Sequence, residues 1–424
     1  MAWGVKTGAA DLVQRLQAGN TKNMYILSTR KVGSADSIAL AAALESHPIM
    51  EEFYFSGHEI DAAGLAAFAK VLAKNTVLQK IAVGTSSLGD AGVALLADGL
   101  GQNPASALVE WDMEFKGIGN AGAASMGAMF ASNHSLRRVN VSRNIFDAAG
   151  LDAIFDGLRS SSVERLDLHD SNLMLGPGAA AYVEDPSCRL QTFLLTGNPL
   201  GTSAAPFCAA LGRNASLTTL NLSQCDLSDD VWVALGQALG TNTTLTTLDL
   251  SHNAISNAAT AAAFLDGLGR NHSLHYLSLA HTGLVDDQVP HLAAQLAANG
   301  RVTSLDVSGN GLSHASLQAL LGIATLTQLR FFNNAVGAGI AHVIEAIRAN
   351  TTVQVLDLGA NSLHGPLAAT VFEALHGHAS LQTLEMGGND LGEVGLAALD
   401  RLKAANPTLD VAMDKNAGGD DETM

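Results

Sequence analysis

Cysteine is scarce in this sequence, with Cys188, Cys208 and Cys225 as its three copies among 424 residues. They show no Cys-x-x-Cys spacing and no disulfide framework, so we expect a reduced, intracellular setting. No stretch is apolar for long enough to span a membrane, and the first twenty residues lack the apolar run of a secretory signal. These absences predict a cytoplasmic protein without membrane insertion.

Basic side chains are also few. Lys and Arg together number 23 against 40 Asp and Glu, which gives a net charge of −17. Affinity for nucleic-acid phosphates requires clustered Lys and Arg, so the sequence argues against a nucleic-acid partner. It favours another protein with a basic or mixed-charge surface. The last residues, 414–424, are rich in Asp and Gly and predict an acidic flexible tail.

The sequence is rich in one repeated pattern. Residues 245–255 read L-T-T-L-D-L-S-H-N-A-I, and the closing apolar position recurs fourteen times between Val32 and Leu391, at spacings of 24 to 30 residues. A degenerate fifteenth copy begins at Leu409. Between copies, apolar residues such as Val231, Leu235 and Leu239 recur at helical spacing. Each repeat therefore predicts a short strand, a turn bearing a polar residue such as Asn253, and an amphipathic helix.

Stacking is what allows such a unit to fold, because one repeat cannot bury its own leucines. Parallel strands lie about 4.8 Å apart and packed helices about 8–10 Å apart, so the stack should curve with its sheet inside. The long period with a full helix resembles the ribonuclease-inhibitor-like class of leucine-rich repeat proteins, over roughly residues 22 to 414. From Lys116 to Asn310 the bend position alternates between asparagine and another residue, which is similar to the alternating repeats of that class.

The resemblance implies an α/β leucine-rich-repeat solenoid, or horseshoe, of about fourteen repeats. It would have a parallel β-sheet on the concave face and α-helices on the convex face. We assign residues 1–21 to an N-terminal capping helix, residues 22–413 to the solenoid and residues 414–424 to the tail. Two irregular places are expected, one around Pro177 and one at the short spacing from Leu312 to Val336.

Motifs for cofactors and metals were weighed against the repeat itself. Gly117–Gly122 matches G-x-G-x-x-G between a strand and a helix, but Ile118 and Gly122 also occupy ordinary repeat positions. A metal cluster of His281, Asp286, Asp287 and His291 competes with a role for the acidic pair at a helix start. No P-loop lysine, His-Glu-x-x-His or Gly-x-Ser-x-Gly is present. We therefore expect no cofactor, no metal and no enzymatic activity.

Function should then depend on strand side chains that point away from the core. They form two candidate partner-binding surfaces, which we name the first and second surfaces. The first surface comprises Glu110, Asp112, Glu114, Phe115, Arg137, Arg138, Asn140, Arg143, Glu164, Arg165, Asp167, His169 and Asp170. The second surface comprises Asp249, His252, His275, Tyr276, His281, Arg330 and Phe332. Mutual neutralisation of neighbouring charges is the alternative explanation for the first surface.

Two classes of function remain open. The leading hypothesis is a non-catalytic interaction scaffold that binds a partner through the concave face or forms part of a larger assembly, for example a cytoskeletal or ciliary one. The alternative is a GTPase regulator, because the Ran GTPase-activating proteins share the repeat class and carry an acidic tail. Arg30, Arg137 and Arg143 would be the candidates for that role. A bacterial or host-directed effector is a third interpretation.

Overall fold

The structure is a computed structural model that describes residues 7–413. The predicted acidic tail at 414–424 lies outside these residues, as do the first six residues of the predicted cap. The chain divides into two compact units. Residues 7–210 and 214–220 form the first unit, and residues 211–213 and 221–413 form the second. Each unit is described by itself below, and the assignment of a single solenoid domain with its cap and tail stays a prediction.

Strands and helices alternate without interruption in the first unit. The element before the first repeat is helix α1 (Ala10–Gln17). The strands are β1 (Asn23–Tyr25), β2 (Glu52–Ser56), β3 (Lys80–Gly84), β4 (Glu110–Asp112), β5 (Arg138–Asn140), β6 (Arg165–Asp167) and β7 (Thr192–Leu194). The helices are α2 (Ser34–Glu45), α3 (Ala62–Lys74), α4 (Gly89–Gly101), α5 (Asn120–Phe130), α6 (Ala148–Leu158), α7 (Pro177–Val183) and α8 (Ala205–Ala210), the last preceded by a 3-10 turn at Gly201–Ala204.

The second unit repeats the same order after β8 (Thr219–Asn221). Its strands are β9 (Thr247–Asp249), β10 (Tyr276–Ser278), β11 (Ser304–Asp306), β12 (Gln328–Arg330), β13 (Val355–Asp357), β14 (Thr383–Glu385) and β15 (Asp410–Ala412). Its helices are α9 (Asp229–Leu239), α10 (Ala258–Arg270), α11 (Val289–Asn299), α12 (His314–Leu321), α13 (Ile340–Ala349), α14 (Gly365–Ala374) and α15 (Gly392–Ala405). Short 3-10 turns lie at Leu211–Arg213, Asp286–Gln288 and Gly337–Gly339.

In both units the strands pair in parallel and in sequence order. The middle residue of a three-residue strand is buried, as at Trp111, Val139 and Leu248, whereas its neighbours point to the other face. With fifteen parallel strands and fifteen α-helices alternating along residues 7–413, the predicted α/β leucine-rich-repeat solenoid is confirmed. Strand β15 lies where the degenerate fifteenth copy was expected. No helix within residues 7–413 has the length and apolar character needed to cross a membrane.

Asparagine at the bend connects successive repeats. The Asn253 side-chain NH2 group donates to the carbonyls of Leu222 and Leu250 at 2.8 and 3.0 Å, and its Oδ1 accepts the N–H of Cys225 at 2.9 Å. The amide thus satisfies backbone groups that the turn leaves without ladder partners. At the alternate bend position of Thr282, the hydroxyl donates to the Leu279 carbonyl of its own repeat at 2.8 Å.

Candidate functional site

The helix-free face of the first unit brings the predicted charges into register. Glu110 on β4 is aligned with Arg138 on β5, which is aligned with Arg165 on β6. In the adjacent row Asn140 lies between Asp112 and Asp167. Because aligned residues on parallel strands present side chains to the same face, the first surface is a contiguous patch.

Ion pairs link most of the charges on the first surface. Arg138 lies 3.4 Å from Glu110, Arg143 lies 3.5 Å from Glu114, and Arg165 contacts Asp167 at 3.0 Å. Two further contacts complete the network, Arg137 to Glu164 at 3.6 Å and the Asn140 amide to Glu114 at 3.3 Å. Neutralisation between neighbours, the alternative explanation considered from the sequence, thus accounts for much of this charge. Exposed pairs of this kind contribute about 0.2–1 kcal/mol each.

Phe115 stands apart from this network because it is a large apolar side chain on the surface. It is 59% exposed, and its backbone adopts a left-handed conformation with φ of 54°. Arg143 occupies the equivalent position in the next repeat, also left-handed, and its guanidinium lies 5.8 Å from the centre of the Phe115 ring. The ring and the guanidinium thus form a pair held by a cation–π contact.

A buried lysine lies beneath this surface. Lys116 occupies a bend position and is only 3% exposed, and its Nζ donates to the Ser56 hydroxyl at 2.7 Å and to the Gly84 carbonyl at 3.0 Å. Burial lowers the pKa of the Lys116 amine, and nearby Asp112 partly offsets that decrease. Burial in turn raises the pKa of the Asp112 carboxyl. Lys116 therefore replaces the bend asparagine by reaching back across two repeats.

Sequence reasoning missed part of the patch, which extends toward β1. Lys80 lies between Glu52 at 3.7 Å and Glu110 at 3.5 Å, so acidic and basic residues alternate from β2 to β5. Tyr25 and Tyr54 stack with ring centres 4.9 Å apart, and the Tyr25 hydroxyl bonds to Glu52. The outward positions of the early repeats were the available signal, but the weak first copy obscured their alignment.

The second unit carries a different row on its helix-free face. From β9 to β14 the aligned residues are Asp249, Ser278, Asp306, Arg330, Asp357 and Glu385. Four of these six are carboxylates, and Arg330 lies between two of them. Asp306, Asp357 and Glu385 were not among the residues predicted for the second surface, and their place in the row comes from the strand register.

Burial perturbs the acidic groups of this row. The pKa of Asp357 is raised to about 7, chiefly by burial and further by Glu385 and Asp306, whereas Arg330 opposes the shift. Burial also raises the pKa of Asp306 and of Glu385, again against Arg330. Burial together with Asp249 and Asp306 raises the pKa of Tyr276 to about 12. The row is rich in carboxyl groups, and Arg330 opposes the raised pKa of three of them, Asp306, Asp357 and Glu385.

The remaining residues of the second surface lie outside the row of aligned carboxylates. His252 and His281 stack with ring centres 4.3 Å apart, and both have left-handed backbones. Burial and the neighbouring His252 lower the pKa of His281. His275 is exposed, with Nδ1 2.7 Å from the Ser273 carbonyl oxygen. Phe332 is half-buried over Gly359, where a Cβ would lie 2.7 Å from its ring.

The glycine motif at Gly117–Gly122 has a local structural role. The Asp90 carboxylate of the preceding repeat accepts the N–H of Gly119 at 2.6 Å, at the start of α5. A Cβ on Gly122 would lie 2.6 Å from that same carboxylate oxygen. The glycines therefore admit a carboxylate to the helix N-terminus, where negative charge is favourable. That carboxylate already occupies the position where a phosphate would bind.

Three of the four residues considered for a metal site, Asp286, His291 and His281, make separate contacts. Asp286 accepts hydrogen bonds from the Ser313 N–H at 2.9 Å and the Ser316 hydroxyl at 2.5 Å, whereas His291 lies 2.9 Å from Asp266. His281 instead stacks on His252, as described above. Over residues 7–413 no group of three or more His, Cys, Asp or Glu side chains is arranged to hold a metal ion.

The arginines considered for a GTPase-activating role have intramolecular partners. The Arg30 side chain donates to the Gly8 carbonyl at 2.9 Å and pairs with Asp11 at 2.5 Å. Arg137 donates to the His134 carbonyl at 2.9 Å. Arg143 lies over Phe115, as described above. These contacts hold each guanidinium against the chain itself.

Comparison with known proteins agrees with this architecture. A family model described as "Leucine Rich repeat" matches residues 213–230, 241–259 and 377–399. The ribonuclease inhibitor of Sus scrofa is 23% identical over 368 residues, which cover 84% of this chain and 80% of that protein. The chain is a leucine-rich repeat protein of the ribonuclease-inhibitor-like class. The predicted resemblance is thereby confirmed.

Other relatives match over shorter shares of their length. The ribonuclease inhibitor of Mus musculus is 26% identical over 296 residues, which cover 68% of this chain and 53% of that protein. The human "NACHT, LRR and PYD domains-containing protein 5" is 25% identical over 293 residues, covering 67% of this chain and 24% of that protein. The chain thus spans about half of the mouse inhibitor and a quarter of the human protein.

Proposed function

We propose that this leucine-rich repeat chain is a non-enzymatic scaffold that binds another protein through the helix-free face of its sheet. The observation that carries the proposal is the acidic row of the second unit, Asp249, Asp306, Asp357 and Glu385, with Arg330 among them. Repeat proteins use extended faces of this kind for binding. A protein with a basic surface has the charge that complements this row.

The aromatic side chains beside the row support the same interpretation. Tyr276 is half-buried on β10, next to Asp249 and Asp306, and Phe332 is half-buried after β12. Binding energy in protein interfaces concentrates on aromatic residues and arginine, flanked by groups that exclude water. We therefore expect Tyr276, Arg330 and Phe332 to be the anchors, with the carboxylates steering the partner.

The first surface fits a secondary role in the same interaction. Its charges pair among themselves, so they offer less net attraction to a partner than the acidic row does. Phe115, with Arg143 against its ring, is the side chain on this surface that exposes a large apolar area. We propose it as an anchor for a mixed-charge partner, with Arg138 and Asn140 at its border.

The relatives suggest a first candidate partner. Two of the similar proteins are named as ribonuclease inhibitors, and a ribonuclease is therefore the first protein to test. Binding of ribonuclease to the full chain should be measured by calorimetry at low and at high salt. Proteins captured from a cell lysate form the second set, each purified and titrated in the same way. Attraction to an acidic row weakens as salt screens it.

The decisive variant removes negative charge and keeps one acceptor oxygen at each position. The double variant Asp249→Asn, Asp306→Asn should raise the Kd of a purified partner about tenfold. The control Asp98→Asn, Asp156→Asn, on α4 and α6, should change that Kd less than twofold. Phe115→Ala tests the first surface and should leave the unfolding midpoint unchanged. A stoichiometric partner whose Kd is insensitive to the acidic-row variant and to Phe115→Ala would exclude the helix-free face.

The Ran GTPase-activating alternative stays a prediction from the sequence. It is tested by adding the chain to a Ran-type GTPase and measuring GTP hydrolysis. Clear acceleration, lost on Arg143→Ala, would replace the scaffold hypothesis. A cytoplasmic location and a cytoskeletal or ciliary assembly also stay predictions, and localisation of the tagged full chain would test both.

A further inference from the structure

A second asparagine position, at the end of each helix, connects neighbouring repeats. In the described chain its NH2 group donates to a backbone carbonyl 29 to 32 residues earlier at Asn75, Asn103, Asn214, Asn242, Asn271, Asn299 and Asn350. At Asn242 the bond to the Leu211 carbonyl is 2.7 Å, and Oδ1 accepts the N–H of Leu245 at 2.8 Å. The amide thereby ties the start of one strand to the previous helix.

Histidine takes this position in the repeat that contains β14. His378 Nε2 lies 2.9 Å from the Ile347 carbonyl oxygen, 31 residues earlier. Its Nδ1 accepts the N–H of Leu381 at 3.1 Å. A backbone N–H can only donate, so Nδ1 must be unprotonated and the ring proton must sit on Nε2. The neutral imidazole reproduces both contacts of the asparagine amide.

The surroundings of His378 are apolar. Its ring lines a small cavity with Leu321, Val353, Leu356, Leu375 and Asn350. The elements around the cavity are α12, α13, β13, α14, β14 and α15, together with the loops that join them. Their charged or titratable side chains are His314, His342, Glu345, Arg348, Asp357, His364, Glu373, His376, Glu385, Asp390, Glu393, Asp400, Arg401 and Lys403. None of these side chains belongs to the cavity lining.

We propose that His378 makes the connection between α14 and β14 sensitive to acid. Protonation places a second N–H on the ring, at Nδ1, directly facing the N–H of Leu381. Two donors then oppose each other and the 3.1 Å hydrogen bond is lost. Histidine is the side chain whose charge ordinarily changes between about pH 5 and 8. Asparagine at the same position has no such transition.

The first unit contains a second histidine at the same position. His47 is 3% exposed, and its Nδ1 accepts the N–H of Ile49 at 3.4 Å. Burial lowers the pKa of His47, whereas the backbone carbonyl of Leu16, again 31 residues earlier, acts in the opposite direction. The charged groups on the elements around it are Asp11, Arg15, Lys22, Asp36, Glu45, Glu51, Glu52, Lys70 and Lys74. The buried His47 Nε2 makes no full hydrogen bond within the described structure, so His47 shares the position of His378 but not its pair of hydrogen bonds.

The consequence concerns the segment that leads into β14. Residues 378–382 connect directly to Thr383–Glu385, and Glu385 belongs to the acidic row. Loss of the Leu381 bond should therefore loosen the end of that row in acid. This inference rests on the hydrogen bonds of His378 alone and stands whether or not a partner binds the helix-free face.

Hydrogen–deuterium exchange on the full chain tests the proposal. Exchange of the 376–385 segment, corrected for the intrinsic pH dependence of amide exchange, should be about tenfold faster at pH 5.5 than at pH 7.5. His378→Asn keeps both hydrogen bonds and should reduce this ratio to about one. Asn350→His, the reverse change one repeat earlier, should create an acid-sensitive segment at 350–355.

Two results of the exchange experiment would overturn the proposal. One is equal corrected exchange of the wild-type segment at the two pH values. The other is a His378→Asn variant, folded by circular dichroism, that keeps the full wild-type acid response. Nitrogen chemical shifts of His378 provide an independent check, because the structure requires the Nε2–H tautomer at pH 7.5. A predominant Nδ1–H tautomer would also contradict it.

Discussion

The first and second surfaces have the same backbone and differ in how charge is distributed across strands. On the first surface acids and bases alternate from strand to strand, so Glu110 lies between Lys80 and Arg138 at 3.5 and 3.4 Å. In the acidic row beside the second surface four carboxylates are aligned, and Arg330 interacts with three of them, Asp306, Asp357 and Glu385. The comparison teaches that strand register decides which charges become neighbours, and so whether opposite or like charges meet on a face.

Burial increases the electrostatic difference between the two surfaces. The ion-paired side chains of the first surface are partly solvated, with Arg138 54% and Glu110 26% exposed. Asp357 in the acidic row is 3% exposed, and its pKa rises to about 7. Desolvation and like charges act in the same direction there, because both disfavour the ionised form. Ionised carboxylates in the acidic row are therefore unfavourable, and a basic partner would stabilise them.

The largest expected effect comes from a feature that the two units share. A Cβ on Gly157 would lie 2.0 Å from the Gly127 carbonyl oxygen, and a Cβ on Gly267 would lie 1.7 Å from that of Gly236. Backbone cannot move aside as a side chain can, so Gly157→Ala and Gly267→Ala should each lower the unfolding free energy by about 3 kcal/mol. Urea unfolding at pH 7 measures this loss.

A matched helical glycine provides the control for these two variants. A Cβ on Gly101 would meet the flexible Ser132 hydroxyl at 3.2 Å, so Gly101→Ala should change the unfolding free energy by less than about 1 kcal/mol. A tolerated alanine at either Gly157 or Gly267 would show that the close helix approach differs between the units.

The next largest effect is a difference between the two surfaces in how the unfolding free energy depends on pH. The Asp357 pKa of about 7 lies above its ordinary value, so its contribution to stability is fully present in acid and is lost as pH rises through 7. Between pH 5 and pH 8 this group alone should lower the unfolding free energy by about 2–3 kcal/mol. Asp357→Asn should remove that dependence and stabilise the chain at pH 8.

Asp112→Asn on the first surface is the comparison for Asp357→Asn. Burial raises the Asp112 pKa as well, but Lys116 opposes the change. We expect a smaller pH-dependent difference from the wild type, measured by the same urea titrations at pH 5 and pH 8. Equal slopes for wild type and Asp357→Asn would show that the acidic row is not electrostatically strained.

The smallest expected effect comes from replacing one arginine on each surface, Arg330 or Arg138. Arg330→Met should destabilise the second unit by about 1–3 kcal/mol at pH 8, because it leaves buried carboxylates without their nearby positive charge. Arg138→Met removes exposed ion pairing and should cost less than about 1 kcal/mol. Thermal unfolding at two salt concentrations measures both variants. A larger loss for Arg138→Met would reverse the proposed contrast.

Much of the fold was predictable because the signal repeats. Regular apolar spacing identified strand, turn and helix, and Asn253 at the bend makes the backbone contacts that its amide predicts. The candidate surfaces were predictable in part, since alternation along a strand gives the outward side chains. Asp306, Asp357 and Glu385 were missed because the residues that share a row depend on cross-strand register.

The sequence by itself determined the repeating unit, because a 24- to 30-residue period of buried leucines permits one way of covering them. Tertiary structure alone decided which charges become neighbours, how deeply Asp357 and Lys116 are buried, and that His378 acts in place of asparagine. These properties arise between residues about thirty positions apart. Proton affinity and ion pairing depend on distance and solvent access, which stacking of the repeats creates.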